Sequence, residues 1–136
     1  MQNVNAYLAE NLFSSDIKKI PTRNGYGEGL VEAGEKDKRV VVLCADLSES
    51  TRSEYFQKKF PERFIEVGVA EQNMASLAAG FALGGKIPFM SSYATFSPGR
   101  NNEQIRTTIA INNVNVKIGG AHAGISVGPD GATHQA

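Results

Sequence analysis

The chain has 136 residues, 41% of them hydrophobic, and its 14 basic and 14 acidic side chains cancel at pH 7. This length suits one domain with a single core, and the balanced charge argues against a surface for nucleic acid or an anionic membrane. One cysteine, Cys44, excludes a disulfide framework or a cysteine-rich zinc site. With no signal peptide pattern and no apolar run approaching the roughly 20 residues of a membrane span, the sequence predicts a cytoplasmic protein.

Helical and extended patterns alternate along the chain. Residues 1–20 predict a leading amphipathic helix or a docked tail, and residues 21–136 predict one further unit. Helices are predicted at Gly25–Lys36, Thr51–Phe60, Glu71–Leu83 and about Asn101–Asn112. Strands are predicted at Arg39–Ala45, Arg63–Val67, Ile87–Ser91 and Asn115–Gly119. This order predicts an α/β fold with a mostly parallel sheet and helices on both faces, whose strand ends deliver loops to one ligand-binding edge.

Glu71 begins a helix that is otherwise mostly small and apolar. Residues at three- and four-residue spacing predict the buried face of this helix: Met74, Leu77, Ala78, Phe81 and Ala82. A carboxylate in the first turn could simply accept hydrogen bonds from the unpaired amides there, where the helix dipole also stabilises its negative charge. It could also be a buried acid held for chemistry. The helix pattern alone leaves both interpretations open.

The end of the chain is a glycine-rich segment with no closing helix or strand, so we expect a truncated domain there. Within it, Gly124–Gly128 matches the G-x-S-x-G pattern of a hydrolase, with Asp130 and His134 following. Pro129 and Gly131 would break the helix that such a nucleophile elbow needs, which disfavours a hydrolase. A metal site built from His122, Asp130 and His134 matches no common ligand spacing.

Aromatic and polar side chains follow the predicted strands. Tyr93 and Phe96 could sandwich a flat ring at the ligand edge, or could pack in the core. Asp46 most often indicates a turn and a helix cap, and Arg23 by itself indicates a surface charge.

Six segments in the same order carry a resemblance to a known family. They are Thr22-Arg23, Ala45-Asp-Leu-Ser48, Phe60-Pro-Glu-Arg-Phe64, Gly68-Val-Ala-Glu-Gln-Asn-Met74, Tyr93-Ala-Thr-Phe96 and Val127-Gly-Pro-Asp-Gly-Ala-Thr-His-Gln135. Over about residues 20–136 the chain resembles the pyrimidine-binding domain of transketolases. The short leading segment looks like that of the separate carboxyl-terminal subunit of a split transketolase.

The resemblance implies a thiamine diphosphate site shared between two chains. Glu71 would bond the aminopyrimidine ring as a catalytic residue, and Tyr93 and Phe96 would stack on that ring. Asp46 would lie near the thiazolium, with Leu47 as a further cofactor contact. The positions of Arg100 and Gln104 relative to the family pattern are ambiguous.

The resemblance also implies a sugar phosphate substrate and transfer of a two-carbon ketol unit, a reaction of the pentose phosphate pathway. Arg23 and Ser50 would grip the phosphate. His122, Asp130 and His134 would contact the sugar hydroxyls, and the two histidines would be catalytic.

Departures from the family pattern limit what this chain does by itself. The sequence has no Gly-Asp-Gly…Asn motif for diphosphate and Mg²⁺, so we expect a partner subunit to hold both, a homodimer, and no activity without the partner. Within the same superfamily, a deoxyxylulose phosphate synthase or a 2-oxoacid dehydrogenase beta-type subunit remains an alternative. A non-catalytic assembly module is the alternative outside enzymes.

Overall fold

A parallel sheet forms the centre of the protein in this computed structural model, which describes residues 9–125 and 127–136. In these residues the strands are β1 (Val40–Cys44), β2 (Phe64–Glu66), β3 (Ile87–Tyr93) and β4 (Lys117–Ala121), in the order β2-β1-β3-β4. All three pairings are parallel; Val42, for example, lies opposite Phe64 on one side and Phe89 on the other. The carboxyl ends of the strands therefore meet at one edge, as predicted.

Helices cover both faces of the sheet. They are α1 (Thr22–Lys36), α2 (Ser48–Thr51), α3 (Glu54–Lys59), α4 (Glu71–Leu83) and α5 (Asn102–Gln104). Short 3₁₀ turns occupy Pro61–Arg63 and Gly131–His134, a wider π-helical turn occupies Ile105–Ala110, and Thr95–Arg100 is a segment kinked at Ser97. The predicted fold class, a parallel sheet with helices on both faces, is confirmed.

Strand β1 lies at the middle of two apolar clusters. All five of its residues are buried, because their side chains alternate between the two covered faces of the sheet. Val41 and Leu43 face α4, where they join Met74. Val40 and Val42 face α1 and α3, where the cluster includes Leu30 and Phe56.

Two predicted helices differ from those observed. The segment predicted as Thr51–Phe60 is divided between α2 and α3, because Arg52 adopts a left-handed backbone with φ of 64°. The helix predicted at Asn101–Asn112 is the short α5 followed by the π-helical turn, and a kinked segment, Thr95–Arg100, precedes it. Pro98 lies inside that segment and has no amide hydrogen to donate.

The buried face of α4 is rotated from the predicted one. Its buried residues are Glu71, Met74, Ala75, Ala78 and Ala79. Leu77, predicted to be buried, is 38% exposed. Alanines on the inner face let the helix approach the sheet closely, and the larger side chain at Leu77 turns outward.

The predicted leading helix falls partly on residues 1–8, which lie outside the described residues. Residues 9–20 contain turns and irregular chain. Through the ranges 9–125 and 127–136, no helix combines the length and the apolar character needed to cross a membrane.

Candidate functional site

Three loops at the carboxyl edge of the sheet carry Asp46 and His122 and lead to Glu71. Asp46 follows β1 and His122 follows β4, and both have left-handed backbones, with φ of 57° and 55°. Gly68 follows β2 with φ of 68°, a conformation that suits glycine, and leads directly to Glu71 at the start of α4. The parallel topology thus brings residues that are far apart in sequence to one edge.

Glu71 is a buried acid at this edge, only 2% exposed. Within the described chain its carboxylate makes no hydrogen bond to an amide of α4; instead, Arg100 Nη1 donates to Glu71 Oε2 at 3.1 Å. The interpretation of Glu71 as a simple helix-start carboxylate therefore does not account for its surroundings.

Arg100 joins the acid to an aromatic ring. Its guanidinium carbon lies 4.5 Å from the centre of the Phe96 ring, a cation–π contact, while the same group pairs with Glu71. A planar, hydrogen-bonding cation thus already occupies the space between a carboxylate and an aromatic face.

Tyr93 lies at the centre of an aromatic group. Its ring is nearly parallel to that of Phe96, with centres 6.2 Å apart and planes 9° apart. His122 packs against Tyr93 with ring centres 4.2 Å apart. His134 approaches the edges of both Tyr93 and Phe96, at 5.9 and 5.1 Å. Tyr93 is therefore next to three other predicted site residues, Phe96, His122 and His134.

A cavity of about 860 Å³ opens beside this aromatic group. Arg23, Tyr93, His122 and Asp130 line it. Its lining also includes the buried hydroxyl groups of Tyr26 and Ser91. The cavity therefore offers a cation, a carboxylate and hydroxyl groups to one ligand.

Burial and charge alter the titration of two groups that line the cavity. Burial lowers the pKa of His122 from its ordinary value, the positive charge of Arg23 lowers it further, and Asp130 opposes the shift. Burial raises the pKa of Tyr26 to about 12. Both effects favour the neutral forms, so each ring offers hydrogen bonds without a charge of its own.

The remaining predicted residues lie around the cavity. Arg23 Nη1 donates to the backbone oxygen of Ser50 at 3.3 Å, so these two residues meet, although through the Ser50 carbonyl and not its hydroxyl. Asp46 and Leu47 lie in the loop between β1 and α2. No side-chain hydrogen bond joins either residue to the aromatic group within residues 9–125 and 127–136.

Sequence reasoning missed Glu66 and Asn101. Glu66 Oε1 accepts hydrogen bonds from the amides of Asp46 at 2.7 Å and Gly68 at 2.9 Å, which ties two edge loops together. Asn101 is fully buried and bonds the backbone of Glu71. In the sequence, Asn101 is distinguished only as a polar residue at a position where a helix-forming residue is expected. Glu66 is distinguished only as an acid at the end of a strand.

The sequence also offered a hydrolase site and a metal site as alternatives. Ser126, the serine of the G-x-S-x-G pattern, lies outside the described residues, and His134 Nδ1 lies 2.9 Å from Thr133 Oγ1, its neighbour in sequence. Among residues 9–125 and 127–136, no group of three or more histidine, cysteine, aspartate or glutamate side chains is placed to hold a metal ion.

Comparison with known proteins identifies a consistent set of relatives. Residues 18–136 match the family described as "Transketolase, pyrimidine binding domain". A Methanocaldococcus jannaschii protein named as a transketolase C-terminal section is 57% identical over 113 residues, which cover 83% of this chain and 36% of that protein. Human transketolase is 43% identical over 119 residues, 87% of this chain and 19% of that protein. The chain thus spans about a third or less of the length of these relatives.

Solved structures give the same relationship. A split-gene transketolase, described as an inactive beta4 tetramer, matches with a TM-score of 0.73 and 50% identity, covering 88% of this chain and 38% of that one. A transketolase from Campylobacter jejuni matches with a TM-score of 0.76 and 30% identity, covering 84% of this chain and 18% of that one.

Proposed function

This chain belongs to the transketolase pyrimidine-binding domain family, and from that premise we propose that it supplies the aminopyrimidine side of a thiamine diphosphate site. In the proposal, a partner subunit holds the diphosphate and Mg²⁺, and the assembled enzyme transfers a two-carbon ketol unit between sugar phosphates. The single observation that carries the proposal is the buried Glu71 carboxylate beside the Phe96 ring, with a planar cation between them.

The residues around Glu71 fit a flat, nitrogen-containing ring. Arg100 donates one hydrogen bond, from Nη1, to Glu71 Oε2 and presents the flat face of its guanidinium to Phe96. An aminopyrimidine has the same two features, an amidine edge and an aromatic face, so it can take over both contacts. When bound, the cofactor supplies an electron sink for cleavage of a carbon–carbon bond next to a carbonyl.

Each residue of this chain has a defined task in the proposed site. Glu71 would hold a proton shared between its carboxylate and a ring nitrogen, and its burial would keep that proton away from water. Phe96 and Tyr93 would stack on the ring and orient it toward Glu71. Asp46 and Leu47 would contact the cofactor from the loop after β1.

The neighbouring cavity supports the sugar phosphate part of the proposal. Arg23 offers a cation for a phosphate at the rim, with Ser50 beside it. Asp130 and His122 line the same space and provide an acceptor and a predominantly neutral imidazole for sugar hydroxyls. His134 contacts Tyr93 from outside the cavity lining and is proposed to reach the substrate from that side.

Self-association is part of the proposal. Apolar side chains are exposed on α4, at Leu77 (38%) and Leu83 (68%), and just before it, at Val69 (71%). Surfaces of this kind favour association, and the related split-gene protein is described as a tetramer of its beta chain. We propose a homodimer built on this face, with the diphosphate-binding subunit completing the active assembly.

Calorimetry tests the division of the site between two subunits. Thiamine diphosphate with Mg²⁺ is titrated into this chain alone and then into this chain mixed with a diphosphate-binding transketolase subunit. Binding only in the mixture is the expected result. No binding in either sample, or equal binding in both, contradicts the proposal.

An activity screen on the mixture identifies the reaction. Xylulose phosphate with ribose phosphate is offered in one assay and pyruvate in another. Turnover of the sugar phosphates is expected; turnover of pyruvate alone would favour a deoxyxylulose phosphate synthase or 2-oxoacid dehydrogenase instead.

A further inference from the structure

Asn101 is a fully buried amide that connects two parts of the candidate site. Its Nδ2 donates to the backbone oxygen of Glu71 at 3.0 Å and to Ser97 Oγ at 3.2 Å. Its Oδ1 is buried and has no hydrogen-bond partner among the described residues. The side chain is therefore held by its donor end, and the Glu71 carbonyl fixes which way the amide faces, because a reversed amide would set two oxygens against each other.

The two acceptors of Asn101 belong to different elements. Glu71 is the first residue of α4, so the backbone oxygen that Asn101 bonds lies at the start of that helix. Ser97 is the residue at which the kinked segment departs from helical geometry, with φ of −140° and ψ of 106°. Phe96 and Arg100 lie on the two sides of that kink. Arg100 pairs with Glu71, and its guanidinium also lies over the Phe96 ring. The Asn101 side chain thus links the backbone of Glu71 to the kink at Ser97, which lies next to Phe96.

We propose that Asn101 is a positioning residue that sets the spacing between the Glu71 carboxylate and the Phe96 ring. The inference rests on the proposed function, since that spacing matters for a ring that contacts both. Asn101 touches neither ring nor substrate; it acts by keeping the start of α4 and the kinked segment in one fixed relation. Small displacements of groups that must act together weaken binding and slow turnover strongly.

The test compares cofactor affinity in variants of the chain assembled with its diphosphate-binding partner. Asn101→Ala removes both hydrogen bonds, and we expect the dissociation constant for thiamine diphosphate with Mg²⁺, measured by calorimetry, to rise about ten-fold. We also expect kcat at saturating cofactor to fall, because the ring and acid stay misplaced after loading. Asn102→Ala is the matched control: this neighbour is exposed and is expected to leave both values unchanged.

A second control separates positioning from general loss of stability. Leu30→Val removes one methylene from the apolar cluster on the opposite face of the sheet, and its melting temperature is compared with that of Asn101→Ala. If Asn101 contributed only to stability, cofactor affinity would fall in both variants in proportion to the drop in melting temperature. Unchanged affinity and kcat in Asn101→Ala, or parallel losses in Leu30→Val, overturn the inference.

A milder variant decides the question if Asn101→Ala does not fold. Ser97→Ala removes one acceptor and keeps the bond to Glu71, so its affinity should fall by about three-fold. Affinity equal to that of the unaltered chain overturns the inference. Absence of binding in the unaltered assembly overturns the proposed function and the inference together, whereas binding that is insensitive to these variants overturns the inference alone.

Discussion

Arg100 Nη1 lies 3.1 Å from Glu71 Oε2, so a guanidinium that is 46% exposed neutralises a carboxylate that is 2% exposed. A buried charge without a partner is costly, and this pair removes most of that cost while leaving Arg100 open to solvent on its other side. The ring in the proposed function must take the place of Arg100 at both Glu71 and Phe96. Arg100 therefore stabilises the acid in the free chain, and in the proposed function the bound ring would displace it.

Replacing Arg100 by Met should lower the free energy of unfolding of the chain by about 1 to 2 kcal/mol, because Glu71 is left buried and unpaired while the half-exposed position of Arg100 limits the loss. In a Glu71→Gln background the same replacement should cost clearly less, since no buried charge remains. Urea unfolding of the unaltered chain, the two single variants and the double variant gives the interaction energy. Strictly additive effects would contradict this account, and Arg106→Met, at an exposed position, is the control.

Glu71→Gln should reduce kcat of the assembled enzyme by at least about 100-fold, because the amide keeps the shape of the acid but cannot share its proton. The circular dichroism of the chain should remain that of the unaltered protein. Glu103→Gln makes the same chemical change at an exposed position and should leave turnover unchanged. Near-normal activity of the Glu71 variant would exclude the proposed role.

His122 should stay neutral at pH values where an ordinary histidine begins to charge. Burial and the charge of Arg23 hold its pKa below the ordinary 6.5, so Arg23→Gln should raise that pKa, as followed by NMR titration. The unfolded chain binds the proton more tightly, so this group makes the fold less stable as pH falls through 6.5. An unchanged titration in the Arg23 variant, matching an Arg106→Gln control, would refute the assignment.

Two glycines of α1 should respond oppositely to alanine. A Cβ at Gly34 would lie 2.6 Å from Phe56 and 2.8 Å from Phe60, so Gly34→Ala should destabilise the chain by about 1 to 3 kcal/mol. Gly29 has open space around it, and Gly29→Ala should stabilise the chain by about 0.5 to 1 kcal/mol through helix propensity. Thermal unfolding of both variants checks the contrast; equal shifts would show that α1 does not pack as described.

The strands and the acid could be predicted from the sequence because their signals are local. The run Val40–Cys44 is apolar and mostly β-branched, and Glu71 is an acid at the start of a mostly apolar helix, so each stands out within a few residues. The family resemblance then singled out Tyr93, Phe96, His122 and His134, which the fold brings into contact.

The contacts that organise the site could not be predicted because they join distant residues. Asn101 bonds a backbone oxygen 30 positions earlier in the chain, and no residue pattern encodes a backbone acceptor. The rotation of α4 depends on how closely alanines let it approach the sheet, which hydrophobic spacing does not report. The break at Arg52 depends on a left-handed backbone that its residue type does not favour.

The Glu66 carboxylate accepts hydrogen bonds from the amides of Asp46 and Gly68, so one side chain connects the loops after β1 and β2. Loops tied in this way have already lost much of their conformational entropy during folding. A ligand arriving at this edge meets a surface whose spacing is set in advance, and less of its binding energy is consumed in ordering the chain. In the proposed function, Glu66 would thus act without touching the cofactor, by fixing the loop that carries Asp46 and the loop that leads to Glu71.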